Sequence, residues 1–191
     1  MKICRDINYN DFGITEENGW KVSYDWEKLR KIFKKFDIAI PIFCALLGRV
    51  LAQTTTIFNY GIISILLCVA AAVFIFIFIL TPIHEILHLI PLAGFKLDNK
   101  CYIIIGKVTV SAFYTREITN KQNCVSLITP FIVLGLIITL IIIFSSGILK
   151  TCAIIILMLH VGGSYRDIFM FFYLIKNFSS KTIFYGNRYR I

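Results

Sequence analysis

Charge is scarce in this chain, and histidine is scarcer. Only 16% of the 191 residues are charged, and there are 3 histidines. A soluble domain of this length would carry more charge, which argues against a water-soluble globular enzyme. The cysteines are Cys4, Cys44, Cys68, Cys101, Cys124 and Cys152, and no two stand at C-x-x-C spacing. That spacing pattern excludes a zinc ribbon. The thiols read as free: small hydrophobic residues in helices, incidental ones in loops. The first 35 residues are polar and lack the short apolar core and small-residue cleavage site of a signal peptide.

What is present is apolar and blocked into runs. Hydrophobic residues make up 58% of the chain, and mean hydropathy is +0.77. About 20 apolar residues in a helix cross the hydrocarbon core of a bilayer. Four stretches qualify: Phe36 to Phe58, interrupted by Arg49; Ile62 to about Leu92; Val125 to Phe144; and Leu149 to Ile175. The expected class is an all-α membrane protein with four transmembrane helices. Its expected parts are a 1–35 N-terminal segment, a 36–175 membrane domain and a 176–191 basic tail.

The net charge is +9, with a pI near 9.3. Its placement favours a membrane surface over nucleic acid as the partner. Lys28, Arg30, Lys31, Lys34 and Lys35 precede the first stretch, Lys96, Lys100, Lys107, Arg116 and Lys121 separate the second from the third, and Arg188 and Arg190 follow the fourth. The other two connections are nearly uncharged. The positive-inside rule then predicts cytoplasmic termini and a cytoplasmic middle loop. Ser23 to Phe36 reads as an amphipathic helix, lying on an anionic leaflet or extending the first span. The β-branched run Tyr102 to Val110, broken at Gly106 and followed by Phe113 and Tyr114, predicts one or two strands, a small cytoplasmic hairpin between helices two and three. Such a hairpin covers the helices or offers an edge to an extended substrate.

Two of the three histidines frame a glutamate: His84-Glu85-Ile86-Leu87-His88. On a helix this H-E-x-x-H spacing puts both imidazoles on one face, one turn apart. Two such nitrogens can hold one Zn²⁺, with Glu85 as general base beside a metal-activated water. Catalytic zinc needs a third protein ligand. Asp167 lies about 25 Å along its helix from Lys150, and the motif about 33 Å from Ile62, so both fall in the inner half of the membrane. Asp167 is the preferred third ligand. His160, about 10 Å further out, is the alternative ligand, or a group that contacts substrate or stabilises an oxyanion. Arg49 faces the bundle and pairs with Asp167 or Glu85, or marks a break in the first span. Arg166 points about 100° away from Asp167.

The segment Thr81 to His88 resembles a bacterial membrane family that is grouped as a domain of unknown function and described as zincin peptidases. Softer matches run from Glu117-Ile118 through Leu127 to Phe131, and from Gly163 to Phe169. The layout also resembles the site-2 protease type of intramembrane metalloprotease. That resemblance implies zinc on His84, His88 and Asp167, one ion per chain, with Glu85 as the base. This chain lacks the Asp-Gly pair of that type, since Ile168 follows Asp167. The expected function is a zinc-dependent endopeptidase in a bacterial cell membrane, acting on a membrane protein or membrane-proximal peptide. The competing readings are a non-catalytic immunity or assembly factor, and a small metal or proton transport component.

Overall fold

The computed structural model describes residues 1–4, 18–24, 26–52, 61–93, 97–105, 110–186 and 188–191. The expected end of the first span at Phe58, the connection at Asn59-Tyr60 and the strand break at Gly106 lie outside these residues. The chain is mostly helical. The helices are α1 (Trp26–Ala52), α2 (Ile62–Ile75), α3 (Thr81–Ala93), α4 (Asn120–Phe144), α5 (Gly147–Gly163) and α6 (Tyr165–Asn177). Short strands among the described residues join them: β1 (Lys2–Cys4), β2 (Lys21–Val22), β3 (Cys101–Ile105), β4 (Val110–Tyr114), β5 (Ile118–Thr119), β6 (Ile183–Tyr185) and β7 (Arg188–Arg190). Contacts sort the chain into two units. One holds Met1–Arg30, Ile83–Pro130 and Asp167–Ile191; the other holds Lys31–Pro82 and Phe131–Arg166.

Among the described residues two helices are long and apolar enough to cross a membrane, Ile62–Ala93 and Asn120–Phe144. The broken pair α5 and α6 makes a third if it counts as one span. Only 11% and 17% of the two span windows are buried within the protein. Their apolar side chains therefore face outward, which is consistent with insertion into lipid. Among the described residues α1 is not one of the candidate spans, and the expected first span extends past its described end at Ala52. It runs unbroken from Trp26, so the amphipathic stretch and the apolar stretch form one element. Leu29 and Phe33, four residues apart, are its buried stripe, with exposed Lys28, Arg30 and Lys31 around them.

Between α2 and α3 lies a five-residue π-helical turn, Phe76–Leu80. Pro82 follows directly, and a proline offers no N–H to the carbonyl four residues back and crowds it. Widening the helix ahead of Pro82 relieves that conflict. The Thr81 hydroxyl donates to the Phe76 carbonyl at 2.9 Å, satisfying an acceptor inside the turn. The fourth expected span is divided at Ser164, after Gly162 and Gly163. A Cβ at Gly163 would lie 3.1 Å from the Phe76 ring, so glycine there lets the helix approach closely.

The first unit holds both sheets. β3 and β4 pair antiparallel, from Cys101 opposite Tyr114 to Ile105 opposite Val110. β1 adds to β3 in parallel, giving the order β1-β3-β4. The second sheet has the order β2-β7-β6-β5. All-α is therefore too simple a class: the protein is mostly helical with two small sheets. The basic tail contributes two of the strands, turning at Gly186, whose φ of 58° suits a residue without Cβ. α4 starts with a reciprocal cap. Gln122 N donates to the Thr119 hydroxyl oxygen at 3.3 Å, and Thr119 N donates to Gln122 Oε1 at 2.9 Å. Asn120 Nδ2 then reaches the carbonyls of Leu174 and Phe178 at the end of α6.

The core of this unit gathers Leu89, Cys101, Ile103, Tyr114, Ile118, Cys124, Leu174 and Phe184. Burial pushes the Cys101 thiol up, and the neighbouring Asp98 adds to the shift, so this cysteine is an inert packing group. Phe184 is fully buried, with its ring edge-on to Phe178 at 5.1 Å. We expect Phe184→Ala to cost about 3–5 kcal/mol, seen as an earlier unfolding transition in detergent.

Candidate metal centre

α3 aims three residues of the sequence motif at one place. His84 and His88 are one turn apart, with ring centroids 4.9 Å apart and planes nearly perpendicular. Asp167 lies in the first turn of α6 and brings its carboxylate to both rings. Its Oδ2 is 3.0 Å from His84 Nε2 and 3.6 Å from His88 Nε2. One ligand atom from each residue lies within 4.8 Å of the others. The three side chains are half-buried or better, at 14%, 13% and 25% exposure. That shields the donors while leaving an approach.

The outer nitrogen of His88 is also engaged. Its Nδ1 is 2.9 Å from the Ser126 carbonyl on α4, and a carbonyl only accepts, so Nδ1 carries the proton. The Ser126 hydroxyl donates to the His88 carbonyl at 2.5 Å, so Ser126 grips His88 twice. Glu85 is held from the other side. Its Oε2 accepts the backbone N–H of Ala112 on β4 at 2.7 Å. A cavity of about 370 Å³ opens here, its lining including Glu85, His88, Asp167, Leu89, Leu92 and Leu127.

A family described as "Putative zincin peptidase" matches residues 77–181. The chain belongs to that family. No curated protein and no solved structure matches it.

A zincin carries zinc, and the donor set of this chain fits that ion. Two imidazole nitrogens and one carboxylate oxygen are the usual protein share of a catalytic zinc site, which leaves one position for water. The Nδ1–H bond to Ser126 leaves the Nε2 lone pair of a neutral His88 directed toward Asp167, the ligand pattern expected when the other ring nitrogen donates to a carbonyl.

The three-residue group does not include His160. That residue is buried in the second unit, with its ring stacked on Phe131 at 6.0 Å and its Nε2 3.4 Å from the Phe131 carbonyl. Arg166 pairs with Asp37 at 2.6 Å, and Tyr165 hydrogen-bonds the same carboxylate. Arg49 is exposed on α1. Ser126 and Ala112 act at the centre without a sequence signal: Ala112 acts through its backbone amide, and Ser126 through its backbone carbonyl as well as its hydroxyl. Pro130 lies within α4.

Proposed function

We propose that this protein is a zinc-dependent membrane-embedded endopeptidase, cleaving a membrane protein or membrane-proximal peptide. One observation carries the reading: Glu85 stands beside the His84, His88 and Asp167 donors and hydrogen-bonds the outward-facing amide of a strand edge. A bound zinc ion supplies Lewis acidity and lowers the pKa of water toward about 7. Glu85 is the general base in this reading. It accepts a proton from the attacking water and returns it to the leaving amine.

The strand edge gives the substrate a place. Ala112 lies opposite Ile103, yet its N–H is directed at Glu85. Backbone groups alternate along a strand, so Val110, Ala112 and Tyr114 turn theirs to the side away from β3. β4 is also the terminal strand of its sheet. An extended segment added there would pass the base. A helical substrate must unwind locally to do so, because its carbonyls are otherwise hydrogen-bonded within the helix. Leu89 and Leu92 follow Glu85 at helical spacings of four and seven, so one face of α3 carries the base and then an apolar floor. That floor suits the apolar side chains of a membrane segment.

The test is cleavage of membrane-tethered reporter segments by the zinc-loaded protein in bilayers. Cleavage should stop with a zinc chelator and return with added zinc. Cleavage indifferent to chelation would remove the metallopeptidase reading.

A further inference from the structure

Pro130 stands inside α4, fully buried, where a proline is normally unfavourable by about 3 kcal/mol relative to alanine. In an unbroken α-helix the carbonyl of residue 126 would accept the N–H of residue 130. Proline has no N–H, so the Ser126 carbonyl loses its intrahelical partner. That same carbonyl is the one that accepts His88 Nδ1–H at 2.9 Å. A buried carbonyl must find a donor, and this one finds the metal-site histidine.

We infer that Pro130 is a positioning residue for the metal centre: by withholding an amide, it reserves the Ser126 carbonyl for His88. The inference rests on the zinc-site reading above. Two effects follow on His88. The proton is fixed on Nδ1, so Nε2 is the nitrogen that can bind metal. The ring is also anchored to its acceptor, while the Ser126 hydroxyl holds the His88 backbone. Thr129 donates from its own hydroxyl to the Val125 carbonyl at 2.6 Å, one residue before the carbonyl that His88 uses. Restoring an N–H at position 130 would give the Ser126 carbonyl a competing donor and release His88 to rotate or change tautomer.

The prediction has opposite signs for fold and site. In the full-length protein purified in detergent, Pro130→Ala should leave the metal-free form as resistant to unfolding as wild type, or more so, since it repairs a helix. Its zinc affinity, by competition with a fluorescent chelator, should nevertheless fall about 10–100-fold, the usual cost of disturbing a histidine's outer hydrogen bond. Nitrogen-15 shifts of the His88 ring in metal-free protein give a reading independent of zinc. Wild type should be protonated on Nδ1, and the variant should show a mixed population. Unchanged zinc affinity in a folded variant would overturn the inference. So would a wild-type His88 protonated on Nε2, which decides the matter even if the variant fails to fold. A wild type that binds no zinc but keeps the Nδ1–H tautomer, lost in the variant, would sink the metal reading and leave the Pro130 coupling intact.

Discussion

Metal analysis of the purified wild-type protein should find about one zinc per chain, and His84→Ala and Asp167→Ala should each lose it. Three donors and one open position are the minimum that a catalytic zinc site works with. Removing one leaves two, and affinity should fall by more than the roughly hundredfold ceiling for an outer hydrogen bond. Asp167→Ala is the more informative variant, because the aspartate comes from a different helix than the motif. Its Oδ2 lies 3.0 Å from one imidazole and 3.6 Å from the other, so it joins the two histidines into one site. His160→Ala should keep its zinc, since that ring stacks on Phe131. Zinc retained in Asp167→Ala and lost in His160→Ala would reverse the assignment.

Glu85→Gln should retain zinc and lose cleavage by about 10²–10⁴-fold, the usual contribution of a positioned general base. The substitution is conservative in shape, and the glutamine carbonyl oxygen can still accept the Ala112 N–H. The edge strand then keeps its contact, and the loss isolates proton transfer. Rates measured on tethered reporters, with metal content determined on the same samples, make the comparison clean. Wild-type cleavage by Glu85→Gln would remove Glu85 from the chemistry and with it the proposed mechanism.

Much of the centre could be read from the sequence because its parts are side chains with a fixed helical period. His84, Glu85 and His88 declare themselves by spacing, and Asp167 by a depth argument along a second apolar run. The β3–β4 pair was visible in the β-branched run after Cys101. The C-terminal strands were less so, although Ile183 to Tyr185, Gly186-Asn187 and Arg188 to Arg190 have the form of a short hairpin. They are three residues each, and Lys176, Lys181, Arg188 and Arg190 in and around them read first as a basic tail. The division of the last apolar run at Ser164 was hidden for another reason. Glycines at 162 and 163 permit a break without requiring one, and packing against Phe76 is a long-range fact. The contribution of Ser126 could not be read at all. It depends on which carbonyl a proline leaves unclaimed and on which helix happens to lie opposite.

The Ala112 amide has a single hydrogen to give. While Glu85 holds it, an incoming strand finds that rung of the ladder already occupied by the protein's own carboxylate. In the proposed function guest and host would compete for one donor, and the guest's arrival would turn Glu85 loose. In the peptidase reading proposed above, an idle centre keeps its base tethered to the strand edge, where it is less available to take a proton from water. A segment too short or too helical to claim the rung leaves the tether in place. Under that proposal selectivity would begin before any side chain is inspected, with the demand that the visitor be a strand.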